Sequence, residues 1–137
     1  MQEIEQRIKQ DGIIAIVRGD FGQDQLLAYA KAMSNNGLTV MEVTLNSSGA
    51  LAAIQALRHH FGDTMVIGAG TVRNTAQFLD AVAAGAQFTV APGSEIGTIE
   101  AAQSKNILHL PGIFTASEAE WAFGMGCIVA LFVGVGA

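Results

Sequence analysis

The sequence predicts an α/β fold of parallel strands, and three observations carry that prediction. Short runs of β-branched and aliphatic residues alternate with longer stretches of helical periodicity, and the runs begin roughly every 20 to 26 residues, the spacing of strand–helix units joined by right-handed crossovers. Most runs are apolar throughout rather than alternating, as expected of strands covered on both faces. Composition agrees: of 137 residues 50% are hydrophobic and only 14% charged, Gly occurs 16 times, and mean hydropathy is +0.38. A chain of this length suits one domain able to bury roughly two thirds of its unfolded surface. These features leave two architectures open, a (β/α) barrel and a doubly wound sheet.

The elements follow in order. Residues 1–10 alternate charge with Ile4 and Ile8 and predict a short amphipathic helix acting as a cap. Ile13 to Val17 is a β-branched run between Gly12 and Gly19, and a helix over Gln23 to Asn35 stops at Asn36-Gly37. The unit then repeats: strand Thr39 to Leu45 and helix Ala50 to His60, strand Met65 to Gly70 and helix Thr75 to Ala84, ended by Gly85. Strand Phe88 to Ala91 precedes helix Glu95 to Ser104, strand Ile107 to Leu110 precedes helix Ala116 to Met125, and Ile128 to Val135 reads as the last strand. That makes about six strands, whereas a closed barrel needs eight in about 250 residues, so the sequence is short of closure by about two units.

Charge narrows the function. A formal net charge of −5 with seven Lys+Arg argues against nucleic acid, which needs a clustered basic footprint. The single cysteine, Cys127, forms no internal disulfide, no charged leader opens the chain, and no apolar run reaches the roughly 18 residues of a spanning helix. The expectation is a reduced, cytoplasmic protein with no membrane partner.

In both candidate architectures the site lies beyond the carboxyl ends of the strands. Glu42 stands between apolar neighbours in Val40-Met41-Glu42-Val43-Thr44-Leu45 and shares a face with Val40 and Thr44. Burying an unpaired carboxylate is expensive, so such a site raises its pKa towards neutrality, as a general acid/base requires; the alternative is a Glu paired with a buried Arg. Arg18 ends the first strand in phase with Ile14 and Ile16, where its fork suits a carboxylate or phosphate or else neutralises Glu42. Thr71 follows Gly68-Ala69-Gly70 and offers a hydroxyl to a substrate or caps the next helix. Pro92 ends the fourth strand on the same face. Gly134 and Gly136 close the chain in a strand running into glycine, a weak phosphate-cradle signal. His59, His60 and His109 lack the spacing of a metal site; His109 reads as a core histidine, Cys127 as a small hydrophobe, and Trp121, Phe123 and Met125 as packing residues.

Five motifs stand in order: Ala15-Ile16-Val17-Arg18, Glu42-Val43-Thr44-Leu45, Ile67-Gly68-Ala69-Gly70-Thr71-Val72, Ala91-Pro92-Gly93 and Leu110-Pro111-Gly112. Each is weak alone. Together, from Gly12 to Cys127, they resemble the 2-keto-3-deoxy-6-phosphogluconate (KDPG) and 2-keto-4-hydroxyglutarate (KHG) aldolases. The resemblance implies a trimeric (β/α)8 TIM barrel that cleaves a phosphorylated 2-keto-3-deoxy acid reversibly to pyruvate and glyceraldehyde 3-phosphate, or 4-hydroxy-2-oxoglutarate to pyruvate and glyoxylate. It further implies a strand-six lysine that forms a Schiff base with the keto carbon, with no metal and no organic cofactor. Glu42 matches the family's proton-shuttling glutamate, Thr71 its pyruvate-side hydroxyl, and Arg18 an arginine that contacts substrate in part of the family. Asn46 stands where several members carry Arg, which keeps a 6-phosphogalactonate-type aldolase open.

The departure begins after Cys127. The chain's lysines are Lys9, Lys31 and Lys105, none at the end of a predicted strand, and the lysine's expected segment reads Gly126-Cys127-Ile128-Val129-Ala130-Leu131-Phe132. Strand six there runs straight into Val133-Gly134-Val135-Gly136, which resembles strand eight. The expectation is one barrel domain over residues 1–137 with a segment missing near 127–133, because a true deletion exposes long unpaired strand edges. Two other readings stand beside the aldolase: an inactive barrel scaffold or assembly subunit without the lysine, and a different phosphate-binding barrel that uses only residues 134–137.

Overall fold

A computed structural model of the chain describes residues 1–132. Helix α1 (Gln2–Asp11) leads into β1 (Ala15–Val17), α2 (Gln23–Asn35), β2 (Val40–Thr44), α3 (Ala50–Phe61), β3 (Val66–Gly70) and α4 (Thr75–Ala83). Then come β4 (Phe88–Val90), α5 (Ile96–Ser104), β5 (Leu108–Leu110), β6 (Gly112–Ile113), α6 (Ala116–Gly124) and β7 (Leu131–Phe132). The first five strands form one sheet in the order β1-β2-β3-β4-β5, every pair parallel. A doubly wound sheet reverses its strand order at a switch point, and none occurs among the described strands, so sequential order favours the barrel-type arrangement.

The two faces of the sheet carry different cores, as the period of two dictates. Met41, Val43, Ile67 and Ala69 face the helices, where Leu26 and Ala30 of α2, Ile54 and Leu57 of α3, and Phe78 and Ala81 of α4 pack against them. Side chains on the opposite face, Val40, Val66, Phe88, Val90, Leu108 and Leu110, form a second cluster. Full burial of each such side chain contributes about 1.5–3 kcal/mol. Ile4 and Ile8 of α1 pack against this inner cluster, so the amphipathic first helix is a cap, as its sequence suggests. Gly68 makes room within it: a Cβ there would lie 2.4 Å from the Phe88 ring.

Two strand starts differ from the sequence expectation by more than a residue, and the fifth strand, which ends at Leu110 as expected, has an unexpected continuation. Ile13 and Ile14 precede β1 rather than belong to it, because pairing with β2 starts at Ala15↔Met41; Ile13 stays 57% exposed. The fifth strand is broken by Pro111, which has no N–H to give to a ladder. Its continuation, β6, pairs in parallel with β7, and the Leu131 N–H donates to the Pro111 carbonyl at 2.8 Å. The sixth strand begins at Leu131 instead of Ile128, and residues 133–137, with the expected glycine turn at Gly134 and Gly136, lie outside the described part.

Candidate active site

Glu42 sits in the middle of β2, a strand buried at every position, with Ile16 and Gly68 as its neighbours in register. Only 4% of it is exposed. A side chain this large fits because β3 supplies glycine beneath it: a Cβ on Gly70 would lie 2.1 Å from Glu42 Oε1. Burial pushes the carboxyl up from its ordinary 4.5 to about 7, and the positive charge of Arg18 pulls the other way. Among the described residues the one ion pair joins Lys9 and Glu5 within α1, so Glu42 is not the carboxylate of a buried salt bridge. The charge-neutralising alternative for Arg18 therefore reduces to a field acting from a distance.

Arg18 follows β1 directly and lies exposed at the carboxyl edge of the sheet. Its Nη2 donates to Thr71 Oγ1 at 3.3 Å. Thr71 follows β3 with φ 56°, a left-handed backbone that a β-branched residue adopts only at a cost. The surroundings hold it there: the Leu45 N–H donates to the Gly70 carbonyl at 2.8 Å and the Val72 N–H to the Val90 carbonyl at 3.0 Å. Thr71 is not a helix cap, since α4 is capped by Asn74, whose Oδ1 accepts from the Gln77 N–H at 2.9 Å. Arg18, Glu42 and Thr71 thus gather over three adjacent strands.

Pro92 lies two residues past β4, at the same edge but on another surface. It lines a cleft of about 360 Å³ with Arg73, Ser94, Glu95 and His109, among others, and without the three residues just described. The loop it begins is stitched to the strand break: Ser94 Oγ donates to the Gly112 carbonyl at 2.8 Å, and the Gly112 N–H to the Gly93 carbonyl at 3.1 Å. His109, 6% exposed, shares a hydrogen bond between Nδ1 and Thr89 Oγ1 at 2.8 Å, and its ring meets Phe78 edge to face. Its Nε2 has no partner among the described residues. Burial pushes its pKa down from 6.5 to about 4, against the pull of Glu95. So it is a neutral core histidine with one nitrogen satisfied. Glu95, read from sequence as the first residue of a helix, is instead the cap of α5, its carboxylate accepting from the Gly97 and Thr98 N–H groups.

Ser47, which sequence reasoning passed over, and Thr44, which it named only for its face, support the edge. Ser47 and Thr44 bond to each other at 2.9 Å and reach back to the backbone around Arg18. The Ser/Thr pair three apart after a strand is the only signal in the sequence, and it reads equally as a turn. No cluster of three or more metal-binding side chains forms among the described residues, and no helix there is long and apolar enough to cross a membrane.

Sequentially ordered parallel strands that bring a near-neutral carboxyl to their carboxyl edge, within the field of a guanidinium, define an α/β protein of the barrel type with a candidate acid–base group at its strand ends. Comparison with known proteins narrows the class to one family. The chain belongs to the KDPG and KHG aldolases, whose family pattern, Aldolase: KDPG and KHG aldolase, matches residues 4–134. It is 40% identical over 95 residues to the 2-dehydro-3-deoxy-phosphogluconate aldolase of Dickeya dadantii, across 69% of this chain and 44% of that protein. The crystal structure of the 4-hydroxy-2-oxoglutarate aldolase/2-deydro-3-deoxyphosphogluconate aldolase from TTHB1 aligns with a TM-score of 0.84 at 29% identity, over 94% of this chain and 63% of that one. The Legionella pneumophila KDPG aldolase, solved with pyruvate captured as a covalent carbinolamine intermediate, aligns with a TM-score of 0.75 at 36% identity, over 82% of this chain and 54% of that one. The chain spans about half the length of the curated relatives it matches.

Proposed function

We propose that the protein is a class I aldolase acting on KDPG, with 4-hydroxy-2-oxoglutarate as a second substrate, and that this chain supplies its proton-transfer group, Glu42. The observation that carries the reading is a carboxyl at the carboxyl edge of the sheet whose pKa burial lifts to about 7. At that value the group is part acid and part base near neutral pH, the condition under which proton transfer in both directions is fastest. With the substrate's keto carbon held as an iminium on a lysine, Glu42 takes the proton of the C4 hydroxyl as the C3–C4 bond breaks. The electron pair of that bond moves into the iminium, leaving an enamine of pyruvate and releasing glyceraldehyde 3-phosphate. Glu42 then returns its proton to C3, and water hydrolyses the imine to free pyruvate. Thr71 and Arg18 bind the acid's carboxylate side, and Gly134 and Gly136 are the phosphate-side candidates; Pro92, in its separate cleft, takes no part in this arrangement. Homotrimer formation and a cytoplasmic location complete the proposal and rest on family likeness.

The lysine is the point to test. Lys9 lies in α1, Lys31 in α2 and Lys105 caps the carboxyl end of α5, so no lysine of this chain stands on a described strand. That observation favours one second reading, a barrel scaffold without turnover. Intact mass of the protein treated with pyruvate and borohydride separates the two, since reduction fixes a lysine imine as a stable adduct. The expected result is a mass above 14.3 kDa with a single pyruvate adduct on a lysine other than Lys9, Lys31 and Lys105. A protein of 14.3 kDa with no adduct leaves the scaffold reading in its place.

A further inference from the structure

The loop after β2 holds a device that acts on Arg18. Thr44 Oγ1 donates to the Val17 carbonyl at 3.4 Å, which uses the only hydroxyl proton Thr44 has. In the 2.9 Å contact between Thr44 and Ser47 the donor is therefore Ser47. That leaves Ser47 Oγ as the acceptor for the Gly19 N–H at 3.0 Å. The hydrogen bonds run one way: Gly19 N–H to Ser47, Ser47 to Thr44, Thr44 to Val17 C=O. The Val17 carbonyl belongs to the peptide plane before Arg18 and the Gly19 N–H to the plane after it. Fixing both planes fixes φ and ψ of Arg18. Thr44 is fully buried and Ser47 half-buried, so water competes poorly for these bonds, and the Ser47 N–H donating to the Thr44 carbonyl at 2.9 Å holds the turn itself.

We propose that Ser47 is a positioning residue that, through Thr44, clamps the backbone on both sides of Arg18 and so aims its guanidinium at the mouth formed by Glu42 and Thr71. Arg18 is exposed and long, with several rotatable bonds, and a single 3.3 Å bond to Thr71 does not hold such a side chain. The backbone clamp narrows the choice: with φ and ψ fixed, the Cα–Cβ direction and the allowed χ1 rotamers of Arg18 are set, and the bond to Thr71 has fewer conformers to select among. In the aldol reaction proposed above, on which this role rests, a fixed guanidinium sets the acidity of Glu42 and the position of the substrate carboxylate together.

The test needs no turnover, so its failure is distinct from a failure of the aldolase reading, which the borohydride adduct decides. The Glu42 side-chain carboxyl is followed by carbon-detected NMR through a pH titration in the whole chain. Among the described residues Arg18 is the charged group whose field reaches that carboxyl. Ser47→Ala is expected to raise the titration midpoint by about half a unit as the guanidinium swings away, and Ser47→Thr, which keeps the hydroxyl, to restore it. Thr44→Val, which cuts the Val17 side of the chain, moves it in the same direction. Arg18→Gln raises the midpoint at least as far, and adding Ser47→Ala to it changes nothing more. If Ser47→Ala leaves the midpoint in place while Arg18→Gln moves it, Ser47 is a loop stitch only and the proposal is overturned. An unchanged midpoint in Arg18→Gln overturns it as well.

Discussion

Thr71 carries a backbone conformation costly to the fold at the edge where the candidate site gathers. Its φ of 56° puts a β-branched side chain in a region where glycine sits at no steric cost, and the neighbouring strands hold it there. Thr71→Gly is expected to raise stability by about 1 kcal/mol in urea denaturation, despite the looser unfolded chain, while abolishing the hydroxyl that accepts from Arg18. Thr71→Val keeps the strain, loses the hydroxyl and gains nothing in stability. If both variants are destabilised equally, the strain is not the governing term. Glu42, Arg18 and Thr71 were legible in the sequence for one physical reason: in an apolar strand a polar residue stands out, and the period of two says which face it takes. Ser47 was not, because its partner is the backbone of Gly19, 28 residues back, and spacing along the chain carries no trace of that bond.

At the level of elements, the break between β5 and β6 ties the fourth and fifth strands' ends together. Gly112 is required there by close approach rather than by φ: a Cβ would lie 2.4 Å from both the carbonyl carbon and oxygen of Pro92, which are backbone atoms and cannot swing aside. Gly112→Ala is expected to cost about 1–3 kcal/mol and to loosen the 92–94 loop, read as lower protection of the backbone amide at position 112, whose N–H bonds the Gly93 carbonyl. Unchanged exchange and stability would show that the loop moves at no cost. The helices were read from sequence to within a residue or two because their ends carry local signals, such as Asn36-Gly37 after α2 and the Thr115–Glu118 capping box before α6. The strand edges were less legible. Where β1 begins depends on its partner in β2, and where the last strand begins depends on its pairing with β6, so both boundaries are set by partners that no local window contains, whereas the end of β5 at Leu110 is marked locally by Pro111.

For the molecule as a whole, two buried titratable groups oppose each other, and their sum hides what each does. Folded Glu42 keeps its proton up to about 7, whereas the unfolded chain releases it near 4.5, so stability falls as pH rises through that interval. Folded His109 stays unprotonated down to about 4, whereas unfolded histidine binds a proton near 6.5, so its contribution falls as pH drops through that interval. Between pH 4.5 and 6.5 the slopes have opposite sign and similar size, about 1.4 kcal/mol per pH unit each, and nearly cancel. The exposed Glu95 and Glu118 carboxylates, held below their ordinary range by hydrogen bonds to helix-terminal groups, act only at lower pH. Urea denaturation of the unaltered chain is therefore expected to give a flat profile across that window. Glu42→Gln exposes the histidine alone, and stability should drop by about 2–3 kcal/mol on going from pH 6.5 to 4.5. His109→Gln exposes the glutamate alone, and stability should drop by a similar amount in the other direction. Two flat single-variant profiles would mean that neither group is desolvated in solution, and the near-neutral carboxyl on which the proposed proton transfer depends would go with them. Stability that falls with rising pH in His109→Gln would mean that the chain sustains, at the carboxyl edge of its sheet, the near-neutral carboxyl on which the proposed proton transfer depends.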